Sequence, residues 1–189
     1  ALDQALTEQL SKSVDDLVEH PVRNISVTVQ PSATSVGPYE PLNLRLTVRN
    51  TSRLPLSIGP SAPIASRVIL RATAPRPGQD EAVEIPPQPI SIDRRLRLAP
   101  GEQLVVDIDV ATTDLGRLLS LDPTHAHLVT TSIVSNPIEG PMGISPGFMG
   151  TVTTTPPVHC AGIDPTPDWV AQARQRIKVP GDTQALIDL

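Results

Sequence analysis

The chain has 189 residues, a formal net charge of −5 and 22 prolines, which fits one domain with appendages and argues against the basic surface a nucleic-acid binder needs. One cysteine, Cys160, excludes an internal disulfide, and no run of about 18 apolar residues offers a membrane span. Three aromatics, Tyr39, Phe148 and Trp169, are too few for the stacking platforms of sugar or single-strand binders.

Residues 1–21 read as an amphipathic helix and linker. Leu2, Leu6, Leu10, Val14, Leu17 and Val18 fall near one stripe at helical spacing, and Pro21 ends the pattern. From Asn24 the period becomes two. Ile25, Val27 and Val29 alternate with polar residues until Pro31. The cluster from Val36 to Pro41 reads as a turn. Leu42, Leu44, Leu46 and Val48 then take every second position of a strand that Asn50-Thr51-Ser52 closes.

Shorter strands are expected at 54–58, with Pro55 marking an edge, and at 67–72. Residues 74–89 read as a Pro-rich connection with a short pairing around 83–85, and 90–98 as one strand. Ala99-Pro100-Gly101-Glu102 suits a type II turn, with Pro second and Gly third. It leads into a second clean alternation through Leu104, Val106, Ile108 and Val110. Residues 114–121 fit a short helical turn. His127, Val129, Thr131 and Ile133 alternate again, 135–150 read as a Gly/Pro loop, and 147–155 as a last strand.

Seven to nine short strands, each with one dry and one wet face, need a second layer. The expected fold is mainly β, an antiparallel immunoglobulin-like β-sandwich over residues 22–157 with a helix at each end. Residues 158–189 read as a linker and a second helix, started by Thr166-Pro167-Asp168 and running through Trp169, Val170, Ala173 and Ile177. A further helix is suggested through 185–187. Because the sequence starts at Ala1 and that pattern stops at Leu189, a fragment of a longer bacterial protein is expected.

The run Gly37-Pro38-Tyr39-Glu40-Pro41-Leu42, the Asn50-Thr51-Ser52 strand end and the later Leu98-Ala99-Pro100-Gly101-Glu102 turn resemble bacterial immunoglobulin-like sandwich domains over about residues 24–134. The cysteine pair and core tryptophan of antibody-type domains are missing. The fold implies no single activity. The same turns are similar to those of sandwich-type proteinase inhibitors.

His125 and His127 are the metal candidates. On a strand an H-x-H pair projects two imidazoles from one face, about 7 Å apart, and Asp122 would add an oxygen; zinc needs three or four ligands in all. His159-Cys160 reads as a loop cysteine beside a histidine, because sequence neighbours on a strand point apart. The loop 136–149 carries Ile138, Met142, Ile144 and Met149, four apolar side chains able to dock a partner. It lacks the lysine and following helix of a phosphate cradle. Arg67, Arg71, Arg94, Arg95 and Arg97 read as a solvated face balanced by Asp107, Asp109 and Glu84, and Asp80, Glu81 and Glu84 as loop charges.

No nucleophile elbow, zincin helix, Walker loop or paired-cysteine zinc motif is present. The expected role is a non-catalytic module that contacts a protein partner or neighbouring domains of the same polypeptide, with no cofactor. The alternatives are an inhibitor-like module using the 136–149 loop and a metal-dependent enzyme centred on His125 and His127. An extracytoplasmic location is expected by association with other sandwich modules.

Overall fold

Three strands with strict alternation build the smaller sheet of the computed structural model, which describes residues 2–38, 40–76, 84–92, 95–168 and 170–171. They are β1 (Ile25–Pro31), β3 (Asn43–Asn50) and β8 (Gln103–Asp109), ordered β1-β3-β8 and antiparallel. Ile25, Val27 and Val29, then Leu44, Leu46 and Val48, then Leu104, Val106 and Ile108 are all buried. The residues between them face water. A pleat places alternate side chains on opposite faces, so each strand contributes one apolar row.

The second sheet follows the order β2-β13-β9-β5-β6. Its strands are β2 (Ser35–Val36), β5 (Arg67–Thr73), β6 (Glu84–Ser91), β9 (His127–Val134) and β13 (Val158–Cys160), and β12 (Val152–Thr154) also pairs with β9. Val68, Leu70, Val129, Ile133 and Val158 point inward and join the rows of the first sheet in one hydrophobic core. A short pair, β4 (Leu56–Ser57) with β7 (Arg97–Leu98), adds the fully buried Leu56 and Leu98. The chain crosses between sheets after β1. β2 then runs parallel to the last strand, β13, while the other ladders are antiparallel. The architecture is the expected mainly β, largely antiparallel sandwich.

Before the sandwich stands α1 (Leu2–Glu19), which meets it through Leu17 and through Asn24. The Asn24 amide donates to the carbonyls of Asp16 and His20, closing the helix C-terminus. Leu10, Val14 and Val18 stay exposed. Helical residues begin again at Pro167 and reach Ala171; the rest of the expected C-terminal helix, with Trp169, and the 185–187 pattern lie outside the described residues. So do Asp80, Glu81 and Arg94.

Three boundaries differ from the sequence reading. The expected strand at 90–98 is two elements, β6 ending at Ser91 and β7 at Arg97–Leu98. β6 contains Pro86, Pro87 and Pro89, which hid it. It survives because it is an edge. Ile92 donates to Ser66 O, so every second residue from there, Ile90 and Gln88, faces β5, and Pro89 lies on the outer margin where no donor is needed. The expected last strand at 147–155 is β12 alone, and the sheet continues through β13 to Cys160, past the boundary at 157. Three residues are too few to show a period. The ambiguous stretch at 114–121 is α2 (Asp114–Leu121), capped by the Thr113 hydroxyl, which accepts from Gly116 N.

The turn before β8 is as expected. Gly101 has φ of +77°, a left-handed value that favours glycine, and Ala99 N–H donates to the Glu102 carboxylate at 2.8 Å. That backbone bond, with Arg95 beside it, holds the Glu102 carboxyl below its ordinary range against a smaller burial cost. Arg45 on β3 and Asp107 on β8 form a cross-strand pair at 2.9 Å. Both are about two-thirds exposed (65% and 64%), where solvent screens the pair. Asp107→Asn is therefore expected to leave the thermal midpoint within about 1 °C of the parent, as read by circular dichroism.

Candidate functional site

Two places concentrate the candidate residues. The first is not a loop. Residues 136–149 contain a hairpin, β10 (Pro137–Gly140) and β11 (Gly143–Pro146), joined at Pro141 and Met142. Gly143, with φ of +97°, permits the tight turn. The strands are four residues each and begin or end in proline or glycine, which concealed the alternation. The hairpin lies over the outer face of β5. There Ile69 and Val134 pair across strands and are buried although they point away from the main core.

Asn136 braces the base of the hairpin. Its amide donates to Pro63 O at 2.6 Å and Phe148 O at 2.7 Å, and its side-chain oxygen accepts from Ala65 N at 2.8 Å. Arg71 donates to Ile144 O. Met142 at the tip is fully exposed, Ile138 is half exposed, and Ile144 is half-buried against the sheet. Phe148 at the base is also half exposed. Met149 is different: it is fully buried, with φ of +58°, and belongs to the core. It is corrected here from a docking residue to a packing residue. The turn closed by Gly150 N to Gly147 O swings its side chain inward.

The second place is the end of the sandwich beside α2. Asp122 follows that helix and collects three partners. Its Oδ1 accepts from His125 Nδ1 at 2.6 Å. Its Oδ2 accepts from Arg76 at 2.7 and 3.0 Å and lies 3.1 Å from His127 Nε2. Burial works against the Asp122 charge, but the hydrogen bond from His125 and the pairing with Arg76 outweigh it and hold the carboxyl below its ordinary range.

The two histidines thus meet, though not as a strand pair. β9 starts at His127, and His125 sits in the preceding turn, half exposed. His127 is buried, and its Nδ1 donates to Ala74 O at 3.1 Å. Protein oxygens thus lie against both nitrogens of that ring. Among the described residues no group of three or more His, Cys, Asp or Glu side chains is arranged to hold a metal ion. Arg76 and Ala74 come from residues about fifty positions upstream, so nothing local in the sequence announced them.

His127 faces Cys160 directly across the β9–β13 ladder. Cys160 is buried, and burial pushes its thiol up, away from the reactive thiolate. His159 is exposed on the opposite face, as expected for strand neighbours. The arginines do not form one face. Arg71 holds the hairpin, Arg95 pairs with Glu102, and Arg97 lies on β7.

Because the Asp122 carboxyl is depressed in the folded state, its contribution is complete above the ordinary carboxylate value and is lost as pH falls through the lower folded one. Asp122→Asn is expected to cost about 1 kcal/mol at neutral pH, a modest figure for a side chain still 22% exposed. It is also expected to flatten the loss of stability below about pH 4. Urea midpoints against pH check both; parallel curves for the two proteins would contradict the assignment.

No family model and no curated protein matches the chain. Among solved structures, the CARDB domain of a Pyrococcus furiosus protein, determined with two metal ions, is 11% identical and aligns over 72% of this chain and 87% of its own, at a TM-score of 0.34. The sporulation control protein Spo0M from Bacillus subtilis is 12% identical over 82% of this chain and 55% of its own, at 0.39. A human PapD-like domain is 9% identical over 76% and 88%, at 0.29.

Proposed function

We propose that this chain is a non-catalytic sandwich module that binds a protein partner through the β10–β11 hairpin. The carrying observation is the exposure of Met142, Ile138 and Phe148 on one small element that Asn136 and Arg71 hold rigid. Exposed apolar side chains on a braced support lose little freedom on binding, which favours contact with an apolar pocket. Only Pro141 and Met142 lie outside the hairpin ladder, so the contact is made by side chains rather than by an extended main chain as in a proteinase inhibitor. The partner is a separate protein or a neighbouring domain of the same polypeptide.

A photo-crosslinker placed at position 142, in the cell that naturally makes the protein, is expected to give one discrete adduct. The same probe at Thr28, exposed on β1, is expected to give none. Adding Ile138→Asp and Phe148→Asp is expected to remove the adduct without moving the thermal midpoint. Equal adducts at positions 28 and 142, or an adduct indifferent to the two aspartates, would overturn the reading.

A further inference from the structure

We propose that the cavity beside α2 binds a small molecule with an apolar body and a protonated amine. The cavity measures about 270 Å³ and opens where the two sheets end. Val36, Leu42, Val110 and Leu119 supply its apolar walls, and Asp122, His125, His127, Glu40, Ser120 and Cys160 its polar atoms. The helix that forms one wall is pinned in place. A Cβ on Gly116 would sit 2.3 Å from Val110 O, so only glycine lets α2 approach this closely. Ligand sites commonly span about 300–1,000 Å³; this one lies just below that range and has room only for a small ligand.

The unspent hydrogen-bonding capacity decides the class. His127 is bonded through both nitrogens. The Ser120 hydroxyl donates to Gly116 O at 2.6 Å. Arg76 and His127 both address Asp122. One carboxylate in the lining keeps an oxygen free. Glu40 uses Oε2 to accept from Gly37 N at 2.7 Å, and its second oxygen has no partner among the bonds described. His125 directs Nδ1 at Asp122 and stands half exposed at the cavity. A ligand carboxylate would meet the like charges of Glu40 and Asp122. An ammonium would meet Glu40 with a charge-assisted bond and place its hydrocarbon against the walls. Glu40 is exposed, so the ammonium keeps part of its water shell.

The full chain is titrated with n-pentylamine, and with n-pentanol and pentanoate as length-matched controls, while NMR shifts are followed. The amine is expected to move the signals of His125, Leu119 and Cys160 saturably, with an affinity about tenfold above the alcohol, and pentanoate to move none. Glu40→Gln retains an oxygen for Gly37 N and is expected to bring the amine down to the alcohol's affinity. As a second reading, the amine is expected to slow labelling of Cys160 by a thiol reagent, and the controls to leave it unchanged. Alcohol or pentanoate binding as well as the amine, amine shifts that never saturate, or amine affinity untouched by Glu40→Gln would overturn the proposal.

Discussion

Asn50→Ala is expected to lower stability by about 3 kcal/mol, read as a fall of roughly 1.5 M in the urea midpoint. Asn50 is wholly buried at the end of β3. Its amide donates to Leu54 O at 2.7 Å and Leu98 O at 3.0 Å, and its side-chain oxygen accepts from Ser52 N at 2.9 Å and Ser52 Oγ at 2.7 Å. Its backbone accepts from Gly101 and donates to Glu102, so one residue ties β3, β7 and the turn before β8. Alanine leaves several of these groups without a partner and out of water, which costs more than the bonds contributed net. Asn50→Asp is expected to be at least as damaging, because an oxygen would then face two carbonyls. A loss under about 1 kcal/mol for Asn50→Ala would show that water replaces the amide.

Met149→Ala is expected to cost about 2–4 kcal/mol, or a fall of roughly 6–10 °C in the thermal midpoint, whereas Met142→Ala is expected to cost almost nothing. The two methionines lie seven residues apart, one fully buried and one fully exposed. Met149 also holds a left-handed backbone that a non-glycine residue adopts at a cost of about 1 kcal/mol, offset by what its side chain fills. Met149→Gly relieves that strain but leaves the same void, so it is expected to recover only a small part of the loss. Calorimetry of the four proteins gives the comparison. Equal midpoints for the two alanine variants would place Met149 on the surface and return it to the docking set.

The strands most plainly legible in the sequence were those with one wet face, although 67–72 and the run from His127 to Ile133 were also expected and are β5 and β9. β1, β3 and β8 each show a clean period of two, and the Gly101 turn announces itself by residue type. β5 is covered on both faces, so Val68, Ile69 and Leu70 form an apolar run without a period; the hairpin that causes this lies some seventy residues away. β6 is masked by its prolines and β13 by its brevity. At the candidate site, Asp122, His125 and His127 were visible as a local group. Arg76 and Ala74, which occupy Asp122 and His127, and Cys160, which faces His127, arrive only through the sheet. Charge partners brought by tertiary structure leave no spacing to detect. Asn24 and Asn50 both begin glycosylation triplets, yet both are buried and bonded.

The proline row on β6 also sets how this molecule behaves in a crowd. A neighbouring copy seeking to lengthen the larger sheet there would find the main-chain nitrogen of Pro89 without hydrogen, so the ladder cannot propagate past it. At the far margin of the smaller sheet, β8 turns the backbone of Asp107 and Asp109 outward, and two such acidic margins repel. Edge-to-edge zipping of neighbouring copies is thereby disfavoured along β6 and β8.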